Sequence, residues 1–192
     1  MTEVQEARRV VERVADELEA RGVEVIVFHD DTSKDQSTNL NTIVAAHNRE
    51  TRELDISVHF NASEDHKGHG VEVLYVTQSE LAAKLSAAIA AAGHLTDRGG
   101  KYRDNLKFLN STSEPAVLLE IAFCDNASDC NLYREHFDNI CGAIADVLGG
   151  TEQEIAEPPP EPIVPPEEVT EVPRVDIQIS GAVHLHIKPF RG

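Results

Sequence analysis

Two residues in this sequence have the type and position to do chemistry. Glu120 interrupts the apolar run "AVLLEIAF" (116–123), and His59 stands near the end of "LDISVHF" (54–60). A carboxylate inside an apolar strand is costly unless it is paired, bound to a metal, or held protonated for work. Each residue also has an ordinary explanation: a strand-end carboxylate that reaches solvent or an arginine, and a histidine satisfied within a core. Both lie at or near the carboxyl end of their runs, where open α/β sheets place ligand sites. Further histidines invite the same question. His69 sits in "GHG" (68–70), and His184 and His186 alternate along one strand face near the end of the chain, as metal pairs can and as solvent-facing histidines of a hairpin commonly do.

The elements that would position these groups follow from periodicity. Val4, Val10, Val11, Val14 and Leu18 form one helical stripe, and Gly22 closes that helix. "VEVIVFH" (23–29) reads as a buried strand, and "NLNTIVAAHN" (39–48) as a helix through Leu40, Ile43, Val44 and His47. "LDISVHF" and "VEVLYV" (71–76) are the next strands. Ser79 caps a helix through Leu81, Leu85 and Ile89 that ends near Gly93. After the strand at 116–123, one last helix runs through Leu132, Phe137, Ile140, Ile144 and Leu148. Strands alternating with helices predict an α/β fold, a mostly parallel sheet flanked by helices on both faces. No internal repeat and no phosphate-cradling glycine loop is present.

Past residue 150 the character changes. Residues 151–173 hold seven of the nine prolines and seven glutamates, the composition of an extended, self-repelling linker. Residues 174–192 alternate Val175, Ile177, Ile179 and Val183, Leu185, Ile187 about a Ser-Gly turn, which predicts a β-hairpin tail. A lone hairpin is marginal in water, so it is expected to pair with another copy, another chain, or the main domain. The sequence thus divides into 1–150, 151–173 and 174–192.

Bulk properties narrow the function classes. The 192 residues are 41% hydrophobic, enough for one substantial core. The net charge of -17 opposes nonspecific binding to nucleic acid and to anionic membranes. No apolar run approaches the roughly 18 residues of a membrane span, and the amphipathic start lacks a signal peptide pattern. Cys124, Cys130 and Cys141 make neither a CxxC pair nor an even framework and read as reduced thiols.

Taken together, "LDISVHFNA", "GHGVEVLYV" and "LTDRGGKYRDNLKFLNSTSEPAVLLEIAF" resemble the zinc-dependent N-acetylmuramoyl-L-alanine amidases of phage lysins and bacterial cell-wall hydrolases, over roughly residues 3 to 149. The resemblance implies that His59 is a zinc ligand, that Glu120 is the catalytic base, and that a glutamate opening the first helix is a second ligand. Glu3 matches that position by its spacing to Gly22, with Glu6 as runner-up. It implies Zn2+ as cofactor and peptidoglycan as partner, the bond cut joining the muramoyl lactyl group to L-alanine. The expected place of action is the bacterial cell wall, after synthesis in the cytoplasm. Asn61, Arg98 and Lys101 are candidate substrate contacts. The family's first ligand is a histidine in a G-H-G-like turn upstream of the Glu3 position. The sequence given starts two residues before Glu3, so the expectation is a set one ligand short, with His29 or His66 as conceivable substitutes. His69 falls at a variable loop and is expected on the surface. Two rival functions follow: an amidase, or an impaired amidase-fold module for wall binding or assembly, with homo-oligomers formed through the tail.

Overall fold

A computed structural model describes residues 1–149 and the backbone of two strands at 177–180 and 184–186. In chain order the elements are α1 (Glu3–Ala20), β1 (Ile26–Phe28), α2 (Gln36–His47), β2 (Leu54–Asn61), β3 (Val71–Tyr75), α3 (Ser79–Gly93), β4 (Asp97–Tyr102), α4 (Lys107–Ser111), β5 (Ala116–Phe123), α5 (Ala127–Glu135), α6 (Phe137–Gly149), β6 (Ile177–Ser180) and β7 (His184–His186). They build the expected α/β architecture around a seven-stranded sheet of order β1-β7-β6-β2-β5-β3-β4. The pairs β2–β5, β2–β6 and β3–β4 are parallel, whereas β3 runs against β5 and β7 against its neighbours.

Alternation along the strands divides the interior in two. Ile56, Val58 and Phe60 of β2 and Val117, Leu119 and Ile121 of β5 join α1, α3 and α6 in the main core. Each fully buried Val, Leu or Ile there contributes about 1.5–3 kcal/mol. Leu118 of β5 and Leu74 of β3 face the other way, into a smaller cluster with Ile43 of α2 and Phe108 and Leu109 of α4. Glu120, two residues beyond Leu118, shares that thinner side.

The buried stripe of α1 is Ala7, Val10, Val11, Val14, Ala15 and Leu18; Val4 stands outside it, 44% exposed. The helix ends as its sequence predicts. Gly22 takes a positive φ of 78°, and the N–H groups of Gly22 and Val23 close on the carbonyls of Glu19 and Leu18.

Several expectations are corrected. The first strand is shorter than 23–29 and half-buried, because β1 is an outer strand of the sheet. Ser79 is the first residue of α3, which carries no side-chain cap, and His94 in the left-handed region ends that helix. The single last helix is two, α5 and α6, broken at His136. Arg98 and Lys101, the candidate substrate contacts in a stretch where no element was expected, lie on the outer strand β4. The linker at 151–173 lies outside the described residues.

Candidate active site

The site grows from β2. Its amino end is fixed by Asp55, which receives a hydrogen bond from Arg52 Nη2 at 2.6 Å and meets His47 Nδ1 of α2 at 3.0 Å. All three residues are buried, and Arg52 also donates to the Glu50 carbonyl and to Asn48 Oδ1. Four residues along the same face stands His59. Its Nδ1 lies 2.8 Å from Oε1 of Glu3, in the first turn of α1, and its Nε2 lies 2.9 Å from Ser57 Oγ. Burial pushes the Glu3 carboxyl up, yet the hydrogen bond and charge of His59, with the Phe60 N–H, hold it below its ordinary value.

The sheet register then sets Glu120 beside this pair. His59 of β2 is opposite Glu120 of β5, and Glu120 is opposite Glu72 of β3. Cross-strand partners share a face, so three ionisable groups form one row across three strands. Glu120 Oε2 is buried without a hydrogen-bond partner. Burial, aided by the negative charge of Glu3 and Glu72 and opposed by His59, pushes the Glu120 carboxyl up to about 7. An acid so poised takes and returns a proton near neutral pH.

Glu72 behaves differently. Asn61 Nδ2 donates to its Oε1 at 3.1 Å and Arg98 Nε to its Oε2 at 2.9 Å, while the Arg98 guanidinium lies 5.2 Å from the centroid of the Phe123 ring. Asn61 and Arg98 therefore hold the carboxylate that flanks Glu120. Lys101, opposite Leu74, occupies the same sheet face without a hydrogen bond or ion pair to Glu3, His59 or Glu120. The reasoning that singled out Glu120, a carboxylate within an apolar strand, applies equally to Glu72 in "VEVLYV", which it missed.

Other candidates fall away from the site. Glu6 accepts hydrogen bonds from Arg9 and from Tyr133 Oη, leaving the role next to His59 to Glu3. His66 is exposed and meets Asp125, and His29 lines a separate cleft of about 510 Å³ between the end of β1 and α2. His69 is exposed, as expected. The glycines around it do the structural work. A Cβ on Gly70, which has φ of 93°, would come within 2.3 Å of the Thr96 carbonyl oxygen, and one on Gly68 would run into the Phe123 ring.

Zinc takes imidazole nitrogen and carboxylate oxygen, and catalytic sites use three protein ligands plus one open position. Glu3 and His59 fit two of those three. Ser57 Oγ at the other ring nitrogen is the type of partner that orients a metal-binding imidazole, and the orphaned Glu120 oxygen beside them needs a partner of its own. Among the described residues no group of three or more His, Cys, Asp or Glu side chains gathers to hold a metal.

Comparison with known proteins agrees with the fold. The sequence profile of the N-acetylmuramoyl-L-alanine amidases matches residues 1–149, and the chain belongs to that family. A probable cell wall amidase of Staphylococcus aureus, LytH, is 32% identical over 112 residues, 56% of this chain and 38% of that protein. This match thus spans well under half the length of that curated relative. Among solved structures, the catalytic domain of the CD27L endolysin targeting Clostridia difficile superposes with a TM-score of 0.67 at 28% identity, over 74% of this chain and 81% of that one. The catalytic domain of CwlV, an N-acetylmuramoyl-L-alanine amidase from Bacillus (Paenibacillus) polymyxa, shares the fold with a TM-score of 0.59 at 24% identity, over 72% and 78%.

Proposed function

We propose that this chain is a zinc-dependent N-acetylmuramoyl-L-alanine amidase, hydrolysing the amide between the muramoyl lactyl group and L-alanine of peptidoglycan at the bacterial cell wall. The observation that carries the reading is the buried, unpartnered Oε2 of Glu120, in register with the His59–Glu3 pair. Family membership and the named activities of its relatives support the substrate class.

Held by His59 and Glu3, zinc would supply Lewis-acid activation of water and of the scissile carbonyl. Glu120 takes the proton of the attacking water at its free Oε2. It then delivers that proton to the departing amine of L-alanine as the carbon–nitrogen bond breaks and the new carboxylate forms. Ser57 holds the His59 ring in place. Asn61 and Arg98 hold Glu72 in place beside Glu120, whose carboxyl the nearby Glu72 helps to push up, so that it can accept a proton. Lys101, on the same face, is left for the anionic groups of a peptidoglycan stem.

Muropeptide release from purified cell walls tests the reading. The unmodified chain loaded with zinc is expected to release muropeptides, and Glu120→Gln to lose most of that release. A second reading, an impaired amidase-fold module that binds walls without cutting them, draws on the two-donor set among the described residues. Sedimentation with walls and no release from either protein would establish it. No helix among the described residues is long and apolar enough to cross a membrane.

A further inference from the structure

The cleft of about 510 Å³ between the end of β1 and α2 takes no part in the chemistry at His59 and Glu120. Its place on the sheet ties it to the same reaction. Phe28 of β1, in its wall, is opposite His184 of β7, and the backbone of His184 is in turn opposite Ser57 of β2. Partners across a ladder share a face, so the cleft lies on the sheet face that carries Ser57 and His59. Two strand spacings, about 10 Å, separate Phe28 from Ser57. One chain of sugars can lie across both places.

The lining has a charged end and a polar end. Past the end of α2 stands Arg49, exposed, whose guanidinium makes no hydrogen bond or ion pair among the described residues. In a chain of net charge -17, a cation without an acid is a ready seat for a carboxylate, which a guanidinium grips with two parallel hydrogen bonds. Lys107 donates to Oδ1 of Asn41, which brings a second positive charge to the rim. At the β1 end, His29 Nδ1 is buried without a hydrogen-bond partner. Burial, with the charge of Arg8 and against those of Asp31 and Glu12, holds that imidazole below its ordinary value. At neutral pH it therefore offers a hydrogen bond rather than a charge. Asp30 also lines the cleft but commits its carboxylate to its own loop. Its Oδ1 accepts from the N–H groups of Thr32 and Ser33 and from the Thr32 hydroxyl, and its Oδ2 from Asn39. Phe28, Ala45 and Ala46 supply an apolar wall. The set fits a small sugar acid: a carboxylate at Arg49, hydroxyl or amide groups at His29 and Thr42, and carbon-bound hydrogens against the wall.

Amide hydrolysis of the wall makes such a group. The carbon–nitrogen bond breaks, the oxygen of water becomes part of a lactyl carboxylate that stays on the glycan, and the L-alanine amine leaves with the peptide. We propose that this cleft binds the lactyl carboxylate of muramoyl residues already stripped of their peptide, so that the chain keeps hold of the glycan it cuts. The inference rests on the amidase reading and adds to it a second, product-binding place. A muramoyl residue that still carries its peptide has an uncharged amide where the stripped one has a carboxylate, so Arg49 separates cut glycan from uncut.

Magnetic-resonance titrations of the full, isotope-labelled chain test this with two sugars. N-acetylmuramic acid carries the free lactyl carboxylate, and N-acetylglucosamine lacks it. Amide resonances of 28–30 and 41–49 are expected to move with the acid, which should bind about fivefold more tightly than the neutral sugar, the upper end for an exposed ion pair. Arg49→Gln should bring the two sugars level, Ala45→Phe, which fills the cleft, should abolish the shifts, and Glu120→Gln should leave the titration unchanged. The product site is overturned if both sugars bind the unmodified chain alike, if Arg49→Gln keeps the preference, or if the shifts gather at β2 and β5 instead. A third probe is L-alanyl-D-glutamate. Shifts from this dipeptide and none from the sugar acid would give the cleft to the peptide and overturn the assignment. Muropeptide release from intact walls is scored separately. Release without sugar binding removes the product site and leaves the amidase; sugar binding without release removes the amidase reading and leaves the carboxylate site.

Discussion

Strand β2 carries two contacts between a histidine and a carboxylate, on one face and four residues apart, and they are opposites. At its amino end Asp55 meets His47, both side chains fully buried, with Arg52 completing the set. Toward its carboxyl end His59 meets Glu3, with the side chains 32% and 42% exposed, beside a Glu120 whose buried oxygen has no partner. The same chemical types are sealed and satisfied in one place, open and unsatisfied in the other. Position on the strand accounts for the difference, since helices α2 and α4 cover the amino end, while near the carboxyl end His59 meets the first turn of α1. Burial with full pairing marks a structural group, and burial without a partner marks a working one.

The largest expected effect is on the open end. Glu120→Gln keeps size and polarity but removes the proton acceptor, so muropeptide release should fall by about two to four orders of magnitude. Wall binding should stay near the unmodified value, because the role lies in the transition state. Undiminished release would remove Glu120 from the mechanism.

The sealed end should respond in stability instead. Asp55→Ala leaves Arg52 buried without its carboxylate, and removing one partner of such a pair costs about 3–5 kcal/mol. His59→Ala, at a partly exposed position, should cost far less. Denaturant unfolding of the two metal-free variants checks this, and equal losses would erase the contrast.

The open end of this contrast was legible in the sequence, and the sealed end was not. Glu120 stands out because a lone ionisable residue interrupts an apolar strand, and His59 because it stands near the end of an alternating one, a placement that any sheet would honour. Asp55, in the same strand as His59, gave no such signal. The tail reads as a hairpin from its alternation alone. What could not be read is whatever depends on pairing between distant segments. Strand β4, "DRGGKY", has no apolar alternation because it is an outer strand with exposed positions, so nothing local announces it. The break between α5 and α6 is a single residue, His136, too small to disturb a stripe that continues from Tyr133 to Ile140. That Asn61 and Arg98 close on Glu72 required the order of β2, β5, β3 and β4, and that the hairpin joins β1 and β2 required their register.

A third prediction concerns pH. Glu120 sits at about 7 in the folded, metal-free chain against an ordinary value of 4.5. Its folded pKa is raised, so between those values the unfolded chain has already ionised while the folded one stays protonated. Stability therefore falls as pH rises from about 4.5 to about 7, by about 3 kcal/mol in all. Glu120→Gln should be more stable than the unmodified protein at pH 8 by about that amount and equal to it at pH 4. In chelator-treated samples, urea midpoints at the two pH values measure the difference. An equal shift at both would mean that packing, rather than buried charge, separates the variants.

The smallest effect should come from Arg98, which acts through Glu72. Removing its guanidinium in Arg98→Ala leaves Asn61 as the one remaining donor to Glu72. Arg98 is over a third exposed, so the ion pair itself contributes only about 0.2–1 kcal/mol, and unfolding should shift by no more than that. The informative readout is the pH profile. Without the positive charge, Glu72 repels an ionised Glu120 more strongly, and Glu120 holds its proton to higher pH. The acidic limb of activity should move upward while the rate at high pH stays near that of the unmodified enzyme. Glu72→Gln should move the limb the other way, because it removes the repulsion. If both variants shift the limb in the same direction, the row of charges across β2, β5 and β3 does not act through electrostatics. The contrast with the Asp55 end would then rest on exposure alone.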